Sequence, residues 1–386
     1  MIKFYKLQFA LLTCLVILNS NAFSQTTVID SMLFGGVQRT YRIYVPAIYK
    51  STKAVPLVFN LHGLGSNALQ QEAYGDFRKI ADTANFIIVS PNGTPTAAGQ
   101  SWNNFAAPGT GVDDVGFISA LLDKVSSKYT INKNRVYSTG MSNGGFMSYD
   151  LACFLNTRIA AIASVTGSMI ASHLKACKAN RPTPVMEIHG TTDNTVSYNG
   201  NGGILVSTNI DTLVNYWVKL NKCGAPVVTT LPNINTTDGS TVEHQVFNNG
   251  KNQSAVELYK VIGGGHTWPG SSYVLSGTNL DFNASKEIWR FFNQFSLDKL
   301  TNIDLVSQEQ TTFNLYPNPT SSGFEIRANL PVKYTLHLFN SMGQQVLQTT
   351  AENGAVIVSR ENLPAGMYMV QLNYEDQQVC KKVIFN

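Results

Sequence analysis

Gly140-Met141-Ser142-Asn143-Gly144 stands between Arg135-Val136-Tyr137-Ser138-Thr139, a run rich in β-formers, and Gly145-Phe146-Met147-Ser148-Tyr149, where the apolar spacing becomes helical. The stretch predicts strand, tight turn and helix. A Gly-x-Ser-x-Gly in that setting is a nucleophile elbow: the chain reverses so sharply that small residues are needed on both sides, and the serine hydroxyl is held clear of the backbone. Five residues recur by chance. The test is whether a base, an acid and an oxyanion site follow in a workable order.

Outward from the elbow the pattern alternates. Val55–Leu61, Phe86–Ser90, Ala160–Val165, Pro184–His189 and Ala255–Ile262 are short, nearly continuous apolar runs, as expected of strands covered on both faces. Helical stretches fall between them: Gln70 to Thr83, Phe117–Lys128 with its stripe of Phe117, Leu121, Leu122 and Val125, Phe146–Phe154, and a closing helix over Ser285–Phe295. Thr27–Phe34 and Arg39–Val45, joined by Gly35-Gly36, predict an opening hairpin. The fold class is α/β with a mostly parallel central sheet. Past Phe295 the composition changes to short strands and turns, from Phe324–Ala328 to Val379–Phe385, which predicts a small all-β sandwich. The expected organisation is a leader over 1–24, an α/β domain over 25–297, a polar, aperiodic linker over 298–313 and a β-sandwich over 314–386.

A chain of 386 residues suits two domains, and a net charge of +4 without any Lys/Arg-rich run excludes nucleic acid as a partner. Lys3 and Lys6 precede the apolar run Leu7 to Leu18, and Ala22-Phe23-Ser24 supplies small residues for cleavage, so 1–24 reads as a secretory signal with a mature start near Gln25. No later segment predicts a transmembrane helix. Export permits disulfides. Cys14 leaves with the leader, and Cys153 and Cys177, close in sequence across one helix-loop unit, either form a bridge or remain two buried thiols. The pairing state of Cys223 and Cys380 is not readable.

A serine becomes a nucleophile when a neighbouring histidine takes its proton and an acid holds that histidine in the right tautomer. With six histidines in the chain the test is sharp. The α/β-hydrolase order is Ser, acid, His, with acid and base on loops after later strands. Asp193, in His189-Gly190-Thr191-Thr192-Asp193-Asn194, and His266, in Gly263-Gly264-Gly265-His266-Thr267-Trp268-Pro269-Gly270, each follow a predicted strand in that order. The expected catalytic set is Ser142, Asp193 and His266. The oxyanion donors are expected to be the N–H groups of Asn143, next after the serine, and of Leu64 in Leu61-His62-Gly63-Leu64-Gly65, with Gly63 as the alternative.

Trp102 and Trp268 are candidates to line an acyl pocket, with plain packing as the other reading. The loops Asn92–Gly111 and Ser197–Ser207 are expected to shape it. Asp113-Asp114 predicts a helix N-cap, with a second role near the site open. His62 and His189 sit at strand ends and read as loop-orienting hydrogen-bonders. No His-x-His, His-x-x-x-His or carboxylate–histidine cluster predicts a metal, and no cofactor is expected.

Arg39-Thr40-Tyr41-Arg42-Ile43-Tyr44-Val45-Pro46, Leu61-His62-Gly63, Asp113-Asp114-Val115-Gly116-Phe117, Gly140-Met141-Ser142-Asn143-Gly144-Gly145 and Gly264-Gly265-His266-Thr267-Trp268-Pro269-Gly270 together resemble the secreted esterase family of polyhydroxybutyrate depolymerases, feruloyl esterases and acetylxylan esterases. The resemblance runs from Gly36 to Phe295. It implies a serine esterase working through an acyl-enzyme, with its triad on Ser142, Asp193 and His266 and its usual disulfide on Cys153 and Cys177. The implied substrates are feruloyl or acetyl esters linked to plant polysaccharide, or alternatively polyhydroxybutyrate. Family members often pair a cysteine like Cys223 with one shortly before the histidine strand; Asn248–Ser254 has none, which implies a buried thiol at Cys223. From Leu315-Tyr316-Pro317-Asn318-Pro319-Thr320 to Lys381-Lys382-Val383-Ile384-Phe385-Asn386 the chain resembles the sorting domain of type IX secretion cargo. That implies a secreted protein, extracellular or at the cell surface, whose partners are the type IX secretion machinery and its sorting peptidase, with removal of the domain. A retained carbohydrate-binding module is the rival. For the α/β domain the rival readings are a catalytically silent binding module and a peptidase on the same fold.

Overall fold

The computed structural model describes residues 25–200, 207–300, 313–328, 333–340, 344–351, 355–374 and 377–386. The leader 1–24, most of the linker 298–313 and the middle of the Ser197–Ser207 loop lie outside them. The chain divides into two compact units, 1–301 and 302–386.

In the first unit Gly35 and Gly36, both at positive φ, turn β1 (Thr26–Phe34) onto β2 (Val37–Val45). β3 (Val55–Leu61) and β4 (Ile87–Pro91) follow, with a side hairpin of β5 (Thr94–Thr96) and β6 (Gly99–Ser101). Then come β7 (Ile131–Met141), β8 (Ala161–Val165), β9 (Val185–Gly190), β10 (Val227–Thr230), β11 (Thr241–Phe247) and β12 (Val256–Ile262). Ten of them form one sheet in the order β1-β2-β4-β3-β7-β8-β9-β12-β11-β10. The six from β4 to β12 are parallel, and antiparallel strands flank them on both sides.

Period-2 alternation sends neighbouring residues to opposite faces, and both faces are dry. Leu57, Phe59 and Leu61 join one apolar cluster with Phe117, Leu121 and Trp217; Val58 joins the other with Phe86, Ile288 and Phe292. The first cluster is roofed by α3 (Asp114–Lys128), α4 (Asn143–Phe154) and α6 (Ile210–Asn221), the second by α2 (Arg78–Ala84) and α7 (Ala284–Phe292). After β3 the chain steps to β4 on one side and returns to β7 on the other. That reversal opens a crevice at the carboxyl ends of β3 and β7, where ligands of such sheets lie.

Several elements differ from the sequence expectation. The single helix over 70–83 is two, α1 (Ala68–Tyr74) and α2, broken at Gly75-Asp76-Phe77. A Cβ on Gly75 would sit 3.0 Å from the Trp268 ring, the Gly75 carbonyl takes the Asn60 amide at 2.9 Å, and Asp76 accepts the Arg78 N–H at 2.8 Å. Those partners win over helix continuation. α6 has no counterpart among the expected elements, although Ile210, Leu213, Val214 and Trp217 have helical spacing. β10 and β11 lack a signal because β10 is exposed throughout and only Val242 and Phe247 of β11 are buried.

In the second unit β13 (Phe313–Tyr316), β14 (Gly323–Ala328) and β17 (Ala355–Ser359) form one antiparallel sheet. β15 (Tyr334–Phe339), β16 (Gln345–Ala351), β18 (Gly366–Tyr374) and β19 (Gln377–Phe385) form the other. Both contribute to one core, which contains Phe324, Ile326, Leu336, Leu338, Val370 and Phe385. This is the small β-sandwich.

Candidate active site

Ser142 caps the N-terminus of α4 at φ 53°, ψ −120°, a conformation that non-glycine residues rarely hold. Its neighbours enforce it. Ser142 N–H donates to Val165 O at 2.8 Å, and Ser142 O accepts Phe146 N–H at 3.0 Å. A Cβ on Gly144 would overlap the Leu61 carbonyl, so α4 starts against the end of β3 only because that position is glycine.

Asp193 follows β9 and is buried. Its Oδ1 accepts Thr195 N–H at 2.8 Å and Val196 N–H at 2.9 Å, which leaves Oδ2 for His266 Nδ1–H at 2.7 Å. A carboxylate there fixes the Nδ1–H tautomer and leaves His266 Nε2 as an acceptor. Ser142 and His266 line one cavity of about 730 Å³. The structure thus brings the three sequence-predicted residues to the carboxyl ends of β7, β9 and β12.

The Leu61–Gly65 loop, expected to supply an oxyanion donor, lies beside them. A Cβ on Gly63 would be 3.4 Å from Ser142 Cβ, so the loop approaches the serine at van der Waals distance. Gly65 N–H is taken by Gln100 O and Ser66 N–H by Gly63 O; among the described residues no acceptor faces Leu64 N–H. Asn143 N–H lies in the first turn of α4, where amides lack helical partners and the helix dipole favours negative charge. The Asn143 side chain has another task. Its Oδ1 accepts Trp102 N–H at 2.7 Å and its Nδ2 donates to Asn104 Oδ1 at 2.7 Å, bolting the Trp102–Asn104 segment to the elbow.

The expectation that Trp102 and Trp268 line the pocket is corrected. Each is 1% exposed and neither borders the cavity that holds Ser142. An indole N–H in a dry interior needs an acceptor. Trp102 Nε1 finds His62 O at 2.9 Å and Trp268 Nε1 finds Ser285 Oγ at 3.1 Å, so the rings wedge beneath the oxyanion loop and the α1–α2 break. Nor does Asn92–Gly111 form the wall. Leu64, Leu69, Tyr74, Met141, Tyr273 and Leu275 line it and make it mostly apolar. Position is the sequence signal for this wall: Leu69 and Tyr74 follow shortly after the Leu61–Gly65 loop, and Tyr273 and Leu275 after the His266 loop.

Other side chains support these loops. Asp113 caps Gly116 N–H at 2.7 Å, while Asp114 is buried against Arg39 at 2.7 Å. Cys153 and Cys177 are disulfide-bonded with Cα atoms 4.8 Å apart, tying α4 to the end of α5 (Ala171–Ala176). Cys223 is a half-buried thiol, pushed up to about 11 by burial. Among the described residues no cluster of His, Cys, Asp and Glu has the grouping of a metal site.

Residues 39–221 match the family described as Esterase PHB depolymerase, a span that contains Ser142 and Asp193 and stops before His266. A probable feruloyl esterase C of Aspergillus terreus is 30% identical over 203 residues, covering 50% of this chain and 68% of the relative. The chain belongs to this esterase family. Feruloyl esterase B of Piromyces equi is 30% identical over 261 residues, 65% of this chain and 44% of the relative. A bifunctional acetylxylan esterase/xylanase of Neocallimastix patriciarum is 25% identical over 280 residues, 70% of this chain and 36% of the relative. The chain therefore spans less than half the length of these last two. Residues 314–386 match the secretion system C-terminal sorting domain, which marks this family member as a secreted protein. No helix among the described residues is long and apolar enough to cross a membrane.

Proposed function

We propose that the protein is a secreted serine esterase that hydrolyses carboxylic esters through an acyl-enzyme. The observation that carries this reading is the 2.7 Å contact of His266 Nδ1 with a buried Asp193, with His266 and Ser142 on the wall of one cavity. His266 Nε2 takes the Ser142 proton as Oγ attacks the ester carbonyl. The tetrahedral oxyanion is held by the N–H groups of Leu64 and Asn143. Collapse expels the alcohol, which His266 protonates, and water repeats the sequence to release the acid and restore Ser142.

The names of the relatives favour feruloyl or acetyl esters on plant polysaccharide as substrates. The mostly apolar wall suits the larger, aromatic acyl group. Polyhydroxybutyrate is the second reading, favoured by the family match. Residues 1–24 would direct export and be removed, 25–297 would carry the chemistry, and 314–386 would be recognised by the type IX machinery and cut away by its sorting peptidase across the 298–313 linker.

Ser142→Ala is the test. Its rate on p-nitrophenyl acetate should fall by roughly 10⁴-fold or more, as when a serine hydrolase loses its nucleophile; a wild-type rate sinks the reading. Rates on methyl ferulate, acetylated xylan and polyhydroxybutyrate then choose the ester, and mass spectrometry of the extracellular protein shows whether 314–386 is removed.

A further inference from the structure

Next to Asp193, and absent from the lining of the Ser142 cavity, lies a second histidine–carboxylate pair that the proposed acyl transfer does not use. Glu187 and His189 stand two residues apart on β9, share a face, and are both 0% exposed. His189 Nδ1 lies 2.9 Å from Glu187 Oε1; its Nε2 lies 2.8 Å from Val196 O and 3.5 Å from Asp193 Oδ2. Every neighbour of the ring nitrogens is an acceptor.

A neutral imidazole has one N–H and one lone pair, so against a carboxylate and a carbonyl it would leave a lone pair facing an oxygen. Two arrangements avoid this: an imidazolium on a Glu187 carboxylate, or a neutral ring taking a proton from a Glu187 acid. Two contacts decide between them. Tyr149 Oη–H donates to Glu187 Oε2 at 2.8 Å, which favours the carboxylate, and the Asp193 oxygen at 3.5 Å favours the imidazolium. Burial opposes both charges and raises the Glu187 carboxyl, with the contacts from His189 and Tyr149 working against it; at His189, hydrogen bonding to Glu187 and the charges of Glu187 and Asp193 hold the pKa above the ordinary histidine value.

The remaining groups around the ring do not supply a competing charge at contact. The Tyr198 ring meets it edge-on with centroids 5.9 Å apart, and the Tyr198 hydroxyl is engaged by Asp211 at 2.6 Å. Lys260, the register partner of His189 on β12, places its ammonium 5.0 Å from the Tyr198 ring centroid. Ser164, the register partner of Glu187 on β8, is neutral.

We propose that Glu187 and His189 form a positioning couple for the triad, in which a buried His189 imidazolium keeps Asp193 an ionised, acceptor-only group and opposes protonation of His266. The proposal rests on the triad reading given above. A positive charge near Asp193 makes a second positive charge on the His266–Asp193 pair harder to place, and Glu187 keeps that charge in position.

His189→Gln tests this, since it keeps an N–H donor but removes the charge. The acid limb of the kcat/KM–pH profile should move up by about one pH unit, with the alkaline plateau lowered less and KM unchanged. A merely structural role would lower activity by the same factor at every pH, and an unmoved limb overturns the proposal. Should the variant fail to fold, ¹⁵N–¹H spectra of the wild-type histidines decide: His189 should carry protons on both nitrogens at pH 7, and one protonated nitrogen overturns the proposal. The Ser142→Ala rate is a separate reading. If it sinks the esterase assignment, the spectra still report the charge on His189.

Discussion

His62 Nε2 accepts the Gly93 N–H at 2.9 Å, so the proton of this ring is on Nδ1, which donates to Gly63 O at 2.8 Å. The peptide between Gly63 and Leu64 is planar and trans, and fixing its carbonyl against His62 turns the Leu64 N–H to the opposite side. A fully buried side chain thus orients a proposed oxyanion donor. Burial pushes the His62 pKa down to about 4. Below pH 6.5 the unfolded histidine binds a proton that the folded one refuses until about pH 4, so stability is complete above 6.5 and is lost as pH falls through 4. The loss is on the order of 3 kcal/mol. Denaturant unfolding between pH 7 and 4 should show a shallower slope for His62→Gln; equal slopes refute the assignment.

Asp193→Asn should lower kcat by roughly 10⁴-fold with little change in KM. Thr195 and Val196 N–H hold Oδ1 as an acceptor, so an asparagine must place its NH₂ toward His266 Nδ1. That donor forces the Nε2–H tautomer, which cannot take a proton from Ser142. Steady-state kinetics on p-nitrophenyl acetate check it, and near-wild-type kcat would count against Asp193 as the acid.

Arg39 and Asp114, with side chains 1% and 2% exposed, form a buried ion pair at 2.7 Å. Asp114 also accepts Asn103 N–H at 2.7 Å, and Arg39 lies over the Phe117 ring at 3.9 Å. Removing one partner strands a charge, so Arg39→Met and Asp114→Ala should each cost about 3–5 kcal/mol. The double variant should lose less than the sum. Additive losses in urea unfolding would show that the pair is not coupled.

The Cys153–Cys177 bridge spans a sequence separation of 24. Restraining a loop of that size should contribute about 3 kcal/mol on the chain-entropy account. Thermal unfolding of the Cys153→Ala, Cys177→Ala protein should show the loss, and an unchanged Tm would mean the loop is already ordered when unfolded.

Much of the candidate site is legible in the sequence because its residues sit in short, chemically constrained motifs. Asp193 and His266 stand out by their places just after apolar runs, since a parallel strand buried on both faces is apolar throughout and its end is abrupt. The tryptophans were misplaced because an aromatic near a catalytic motif has the same sequence signature whether it meets ligand or core. Trp268 belongs to the core because Gly75, far away in the chain, leaves a gap that its ring fills. β11 was invisible because His244, Gln245 and Glu243 are neither clearly buried nor clearly exposed.

Periodicity, glycine placement and the order Ser142, Asp193, His266 determined from sequence alone that this chain folds as an α/β layer with a nucleophile elbow, because those features act between near neighbours. Tertiary structure decided what surrounds the serine: an apolar wall from α1 and the Tyr273–Leu275 loop, and tryptophans withdrawn into the core. It also decided that His189, two residues from Glu187 and four from Asp193, faces only acceptors. Burial and the direction of a hydrogen bond depend on partners brought together by the whole sheet, and no local stretch of sequence encodes them.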